Sequence, residues 1–337
     1  MTVRVSAQIA GRTILFSGIL VLALTPHSIA VADDPLEVSY HPVPLDESAP
    51  GKSRVGDLTY RGGIHLTSPD RRFGGLSGLI VNQDASRFKT VTDIGFKIEG
   101  ALIHNSQGHL TGVRDMTISP LNGVDGRPLT GKNNTDAESL AILPDGRLVI
   151  SFERRHRILL TSPGLHRRMA VPQALYQAPR NSGLEAITAL SDGRLLVLTE
   201  AFRPAIRAAT PGALATRGWL RTPAGDWQRM DVQVPPAFKP TGATTLPNGS
   251  VYVLLRKFSP LTGVAVRVAR LAVPESPTAS LAQLQTIAEI APPLTIDNFE
   301  GIANRTVRDG RSYLYIVSDD NFNPLQRTLL IQFELIN

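Results

Sequence analysis

The most regular pattern in the chain is a pair of short apolar runs separated by a polar turn. Residues 138–153 read E-S-L-A-I-L-P-D-G-R-L-V-I-S-F-E, and residues 185–200 read E-A-I-T-A-L-S-D-G-R-L-L-V-L-T-E. In both, Glu opens and closes the unit and Asp-Gly-Arg sits in the middle. A degenerate copy runs from Thr241 to Arg256 around Asn248-Gly249, another from Glu300 to Asp319 with a longer turn, and an early one from Ser77 to Asp93. Asp-Gly and Asn-Gly supply the positive φ angles that tight hairpins need. Aliphatic and β-branched runs such as Leu148-Val149-Ile150 suit strands. Each unit therefore predicts a hairpin.

The units start at 77, 138, 185, 241 and 300, at intervals of 47 to 61 residues. That spacing suits four-stranded propeller blades with variable loops. The expected fold is all-β, a β-propeller in one domain spanning 55–337. At about 50 residues per blade the length predicts six blades. Five are visible, and a strand near 36–40 paired with a C-terminal strand at 329–335 would supply the sixth and close the ring. Residues 33–54 read as a Pro-rich lead-in, and 281–290 as a short helix.

The first 32 residues follow a different pattern. Arg4 and Arg12 are their only charges, an apolar run covers 14–24, and Ala30-Val31-Ala32 precedes Asp33-Asp34. This reads as a secretory signal peptide with a small-residue cleavage site. The apolar run is too short to span a bilayer, and no later stretch could. The expectation is a periplasmic or secreted protein with no membrane span after cleavage. Removing 32 of 337 residues leaves 305, with 33 basic against 29 acidic side chains. That balance is too weak to argue for nucleic acid. The chain has no cysteine, which excludes disulfides, thiolate metal sites and cysteine nucleophiles.

Five segments together are distinctive: N-T-D-A-E-S-L-A (134–141), P-D-G-R-L-V-I-S-F-E-R (144–154), N-S-G-L-E-A-I-T (181–188), D-N-F-E-G-I-A (297–303) and S-D-D-N-F-N-P-L-Q-R-T (318–328). Over about 55–335 the chain resembles the phytase-like family, exported bacterial proteins labelled "esterase-like activity of phytase". The resemblance implies a propeller and, in name, a calcium-dependent phytase or esterase.

In a propeller, equivalent repeat positions converge on one channel. Glu138, Glu185 and Glu300 share such a position with Ser77 and Thr241, which predicts a ring of three carboxylates and two hydroxyls. Glu153, Glu200 and Asp319, with Asp320 and Asp93 beside them, read as a second acidic set at the other end of their hairpins. Clustered carboxylates need protons, arginines or a cation, and calcium takes six to eight oxygens. Glu138, Glu185 and Glu300, with Asn134, Asn181 or Asn298 nearby, form the candidate metal set. One of the three Glu would be a ligand or a general base. The other reading is that these acids serve structure alone. Arg154, Arg155, Arg203 and Arg327 follow the second set, and Arg256-Lys257 stands at the equivalent place in its repeat. Arginines so placed could grip an anion bidentately.

Other catalytic templates fail. Ser77 lacks the second glycine of a nucleophile elbow. Ser86-Arg87-Phe88-Lys89 lacks companion motifs. The phosphate loop that 126–132 approaches needs Ser or Thr where Asn133 stands. His156 is followed by Arg157, unlike a histidine-phosphatase signature, and His104 and His109 read as a polar loop. The best-supported function is hydrolysis of a small anionic phosphoester or related ester with calcium. A metal-dependent lactonase-like propeller and a non-catalytic ligand- or partner-binding propeller are the alternatives.

Overall fold

The Asp-Gly turns fold as their chemistry requires: Gly146 and Gly193 sit at φ +82° and +84° between antiparallel strands. In the computed structural model, which describes residues 33–203, 214–261, 263–275 and 281–336, these hairpins form the inner halves of five antiparallel sheets. Residues from Ala32 onward form one unit. The signal-peptide reading of 1–32 lies outside the described residues. No described helix is long and apolar enough to cross a membrane.

The sheets are the blades of a five-bladed β-propeller. From the channel outward, blade I contains Leu76–Val81, Arg87–Thr92, Phe96–His104 and Leu110–Pro120, with Asp34–Pro35 added at its edge. Blade II contains Ala137–Ile142, Leu148–Phe152, Arg157–Ser162 and Leu165–Met169, and blade III contains Leu184–Ala189, Leu195–Thr199, Leu214–Arg221 and Trp227–Val234. Blade IV contains Lys239–Thr245, Val251–Ser259, Gly263–Leu271 and Leu284–Ile290. Blade V runs from Asn298–Thr306 through Ser312–Asp319 and Thr328–Leu335 to Leu58–Thr67 and Ser39–Pro42, with Arg54–Val55 paired beside Leu58–Thr67.

Two expectations are corrected here. Six blades were expected, and five are present. The N-terminal segment does not build a sixth sheet with the C-terminal strand. Leu58–Thr67 pairs with Thr328–Leu335 inside blade V, and Ser39–Pro42 covers its edge. The segment expected to be a short helix, 281–290, supplies the outer strand Leu284–Ile290, because blade IV needs a fourth strand against Gly263–Leu271.

The core is divided among the seams between blades. Five apolar clusters lie at the five seams; the one joining blades I and V contains Ile64, Leu76, Ile98, Tyr315 and Leu330. The inner strands touch in a closed ring, and blade V returns to blade I. The closure is tight: a Cβ on Gly301 would lie 2.7 Å from the Gly78 carbonyl carbon.

Candidate metal and acid–base site at one mouth of the channel

The ring position predicted from the repeats is set by a recurrent backbone irregularity. In blades II to V the strand register skips one inner-strand residue, and the skipped residues are Glu138, Glu185, Thr241 and Glu300. A β-bulge leaves its extra residue out of the ladder and re-aims the side chain. Blade I is irregular just after Ser77.

The first strand of each hairpin begins at the mouth where the second ends. Asn298 therefore pairs with Asp319, and Leu184 with Thr199 beside Glu200. The two acidic sets thus meet at one mouth, not at opposite ends. Their charges are felt mutually: Glu138, Glu153, Glu200 and Glu300 all raise the proton affinity of Glu185.

The cluster has two unlike halves. On the side of blades II and III, carboxylate oxygens of Asp136, Glu138 and Glu153 lie within 4.8 Å of one another, and all three residues are buried. Arg154 Nε donates to Asp136, from a left-handed backbone at φ +54°. Glu153 Oε1 accepts the Gly183 N–H at 3.0 Å, and its carboxyl also bonds to that of Glu185. Burial pushes Glu138 and Glu185 well above the ordinary carboxylate range, and like charges add to the effect. Glu153 is raised for the same first reason. Asp93 rises to about 6 through burial, with Lys132 opposing, and its Oδ1 is buried without a hydrogen-bond partner among the described residues.

The side of blades IV and V is compensated. Arg256 lies 3.2 Å from Glu300 Oε1 and 3.7 Å from Glu200 Oε1, and donates to Asn298. Lys239 Nζ donates to Glu200 at 3.0 Å. Asn298 Nδ2 donates to Glu300 at 2.9 Å and to Asp319 at 3.4 Å, while Ser77 Oγ donates to Glu300 at 3.2 Å. Burial still raises Glu300 and raises Asp319 strongly.

The remaining candidates sit elsewhere. Asn134 is at the rim and accepts from Arg155 at 2.8 Å; Asn181 is exposed. Thr241 Oγ1 donates to the Phe299 carbonyl, a bond within the seam. Asp320 accepts from the Gly75 and Phe322 backbones and from Thr328, and so pins its loop. Arg327 is held by Asp297 and Glu47. Arg203 is exposed at the edge of the segment 204–213, which contains Arg207 and lies outside the described residues.

Asp136 and Lys239 escaped the sequence reading. Asp136 was visible as the first acid of Asp-Ala-Glu, two residues before Glu138. Lys239 carried no repeat signal. Arg256 was read as an anion-gripping arginine beside the second acidic set; in the structure it pairs with Glu200 and Glu300 instead.

A cluster of buried oxygens with high proton affinity can take a proton near neutral pH or hold a hard cation. The donor set suits such a cation: three hard carboxylates converge, and among the described residues only Asp136 pairs with an arginine.

The family model described as "Phytase-like: Esterase-like activity of phytase" matches residues 71–322, and the chain belongs to this family. No curated protein sequence matches. Among solved structures, similarity extends to virginiamycin B lyase from Staphylococcus aureus crystallised with quinupristin, at 12% identity over 89% of this chain and 100% of that one, TM-score 0.41. A luciferin-regenerating enzyme is 12% identical over 78% of this chain and 93% of its own, TM-score 0.40. A streptogramin B lyase is 12% identical over 82% and 97%, TM-score 0.37. At this level of similarity none of them says what this chain binds or does.

Proposed function

We propose that the acidic mouth binds a hard divalent cation, calcium by its oxygen chemistry, and that the protein hydrolyses a small anionic ester there, a phosphoester first among them. The observation that carries this is the convergence of the Asp136, Glu138 and Glu153 oxygens within 4.8 Å. A bound cation would neutralise these acids and polarise an ester oxygen. Glu185, beside them and high in proton affinity, is suited to take a proton from an attacking water.

The rim supports an anionic substrate. Arg155 and Arg180 are held by the amide oxygens of Asn134 and Asn133, at 2.8 and 2.7 Å, and neither pairs with a carboxylate among the described residues. Their charge is therefore free for a phosphate or carboxylate. The N-terminal pattern at 1–32 supports an exported setting, periplasmic or secreted.

Calcium titration by calorimetry, wild type beside Glu138→Gln and Glu185→Gln, tests this reading. Saturable binding lost in Glu138→Gln is expected, together with calcium-dependent turnover in a screen of phosphoesters, carboxyl esters and lactones. Lactone opening without phosphoester cleavage would shift the substrate class. Absence of calcium binding, with the variants only less stable, would make the acids structural and favour a binding propeller.

A further inference from the structure

Two of the loops that frame the acidic mouth repeat one short motif. Between the second and third strands, blade IV carries Phe258-Ser259-Pro260-Leu261 and blade V carries Phe322-Asn323-Pro324-Leu325. In both, the second residue caps the turn with its side chain: Ser259 Oγ accepts the Leu261 N–H at 3.3 Å, and Asn323 Oδ1 accepts the Leu325 N–H at 3.0 Å. Cap and proline close the turn and leave the leucine at its apex, 95% exposed at 261 and 92% at 325. Phe258 and Phe322 are exposed beside them. Asp320 accepts the N–H groups of Phe322 and Gly75, at 3.0 and 2.9 Å, and so fixes the blade V copy to the neighbouring loop. The strand Val251–Ser259 runs three residues past Arg256, about 10 Å of strand beyond the ring of acids.

Turn apices are ordinarily polar. The opposite mouth follows that rule, with hairpin tips that pair Arg147 with Asp145, Arg194 with Asp192 and Arg311 with Asp309. The acidic mouth breaks it in further loops too, since Val124 and Tyr176 are exposed on the connections from blade I to II and from II to III. The same face has an excess of free positive charge. Arg71, Arg127, Arg155, Arg180 and Arg203 are exposed on the loops around the mouth and pair with no carboxylate among the described residues. Asp125 is the one exposed acid on the described parts of these loops without a basic partner among the described residues. Asp136, Glu138, Glu153, Glu185 and Asp319 are buried in the mouth.

We infer that this face docks on an anionic phospholipid surface. The two Phe-Ser/Asn-Pro-Leu turns enter the headgroup layer, and the unpaired arginines meet lipid phosphates. Separate projecting apices suit lipid, which closes around each side chain, whereas a protein partner needs a contiguous complementary patch. The inference is independent of the cation reading, because neither turn contains a residue of the proposed metal set.

Vesicles of phosphatidylcholine with about 30% phosphatidylglycerol are the probe. Binding is measured by co-sedimentation in chelator. Saturable binding that weakens with added salt is expected, with little binding to phosphatidylcholine alone. Leu261→Ser combined with Leu325→Ser should weaken it at least about tenfold, and Arg71→Gln combined with Arg127→Gln about tenfold. All four side chains are exposed, and melting curves check that the variants fold. Ile142→Ser, at the opposite mouth, should change nothing. Glu138→Gln should bind vesicles as wild type does, whatever its effect on calcium. No binding, binding indifferent to lipid charge, or full binding by the leucine pair overturns the proposal. Self-association that the leucine pair abolishes, without vesicle binding, also overturns it and makes the turns an interface between copies of the chain.

Discussion

Arg256 lies 3.2 Å from Glu300, and it is the cation that separates this carboxylate from Glu138 and Glu185, its equivalents in the ring. The arginine stands where blades II and III carry Glu153 and Glu200. One exchange of sign in the repeat thus compensates one side of the mouth and leaves the other acidic. Replacing Arg256 by Met should cost about 2–4 kcal/mol, the cost of leaving a largely buried carboxylate without its partner, reduced because the arginine is partly exposed. Adding Glu300→Gln should restore part of that loss. Denaturant melts of the two single variants and the double variant measure the coupling; simple additivity would show that the pair contributes nothing.

Protonation should stabilise the metal-free protein. Glu138, Glu153, Glu185, Glu300, Asp319 and Asp93 all hold protons more tightly in the folded state than in the unfolded chain, with Asp93 near 6. The folded state then carries more protons than the unfolded one, so stability falls as pH rises from the ordinary carboxylate range through the folded values. A chelated sample should melt at a lower temperature at pH 8 than at pH 5.5. Calcium should narrow the difference, because a bound cation replaces the protons. A melting temperature that rises with pH in chelator would contradict the assignment.

Gly75 sits at φ +61°, and a Cβ there would lie 2.2 Å from Asp93 Oδ1. Gly75→Ala should therefore both strain the backbone and displace Asp93. Gly126, at φ +74° with nothing within 4 Å of a Cβ, isolates the first effect. Gly126→Ala should cost about 1–2 kcal/mol from backbone strain alone, and Gly75→Ala more. Thermal melts compare the two, and equal costs would show that Asp93 yields freely.

Gln332 is fully buried and joins blade V to blade I. Its Oε1 accepts the Leu110 N–H at 2.8 Å, and its Nε2 donates to Tyr315 Oη at 2.9 Å and to the Gly108 carbonyl at 3.2 Å. Gln332→Leu leaves the Leu110 N–H without its partner and should cost about 1–3 kcal/mol. Hydrogen exchange should quicken first at Leu110. An unchanged rate there would place the ring's weak seam elsewhere.

The inner ring was legible in the sequence because turn chemistry and ring chemistry recur together. Each repeat start, from Ser77 to Glu300, lies in the inner strand of a blade. The blade count was not legible from length. Blade I has outer strands of 9 and 11 residues, and residues 39–67 join blade V instead of forming a sheet of their own. The helix expected at 281–290 failed because an edge strand is fixed by its neighbour more than by its own periodicity. Within the site, spacing marked Glu138, Glu185 and Glu300. Which acids lack a cation depends on how Lys239 and Arg256 reach from blade IV to Glu200 and Glu300, a relation between blades that no single repeat encodes.

Blade V draws its strands from both ends of the folded region, with Leu58–Thr67 hydrogen-bonded to Thr328–Leu335. During synthesis the first of these waits, unpaired, for a partner that emerges some 260 residues later. Until then blades I to IV form an open arc, with an exposed seam at either end and no enclosed channel. Asp136, Glu138 and Glu153 share one hairpin of blade II, whereas Glu300 and Asp319 of blade V join them at the mouth only when the ring closes. Full metal affinity should therefore appear only with ring closure, and a chain that stops short of Thr328 should keep strand content and the blade II triad yet leave the mouth open on the side of blade V.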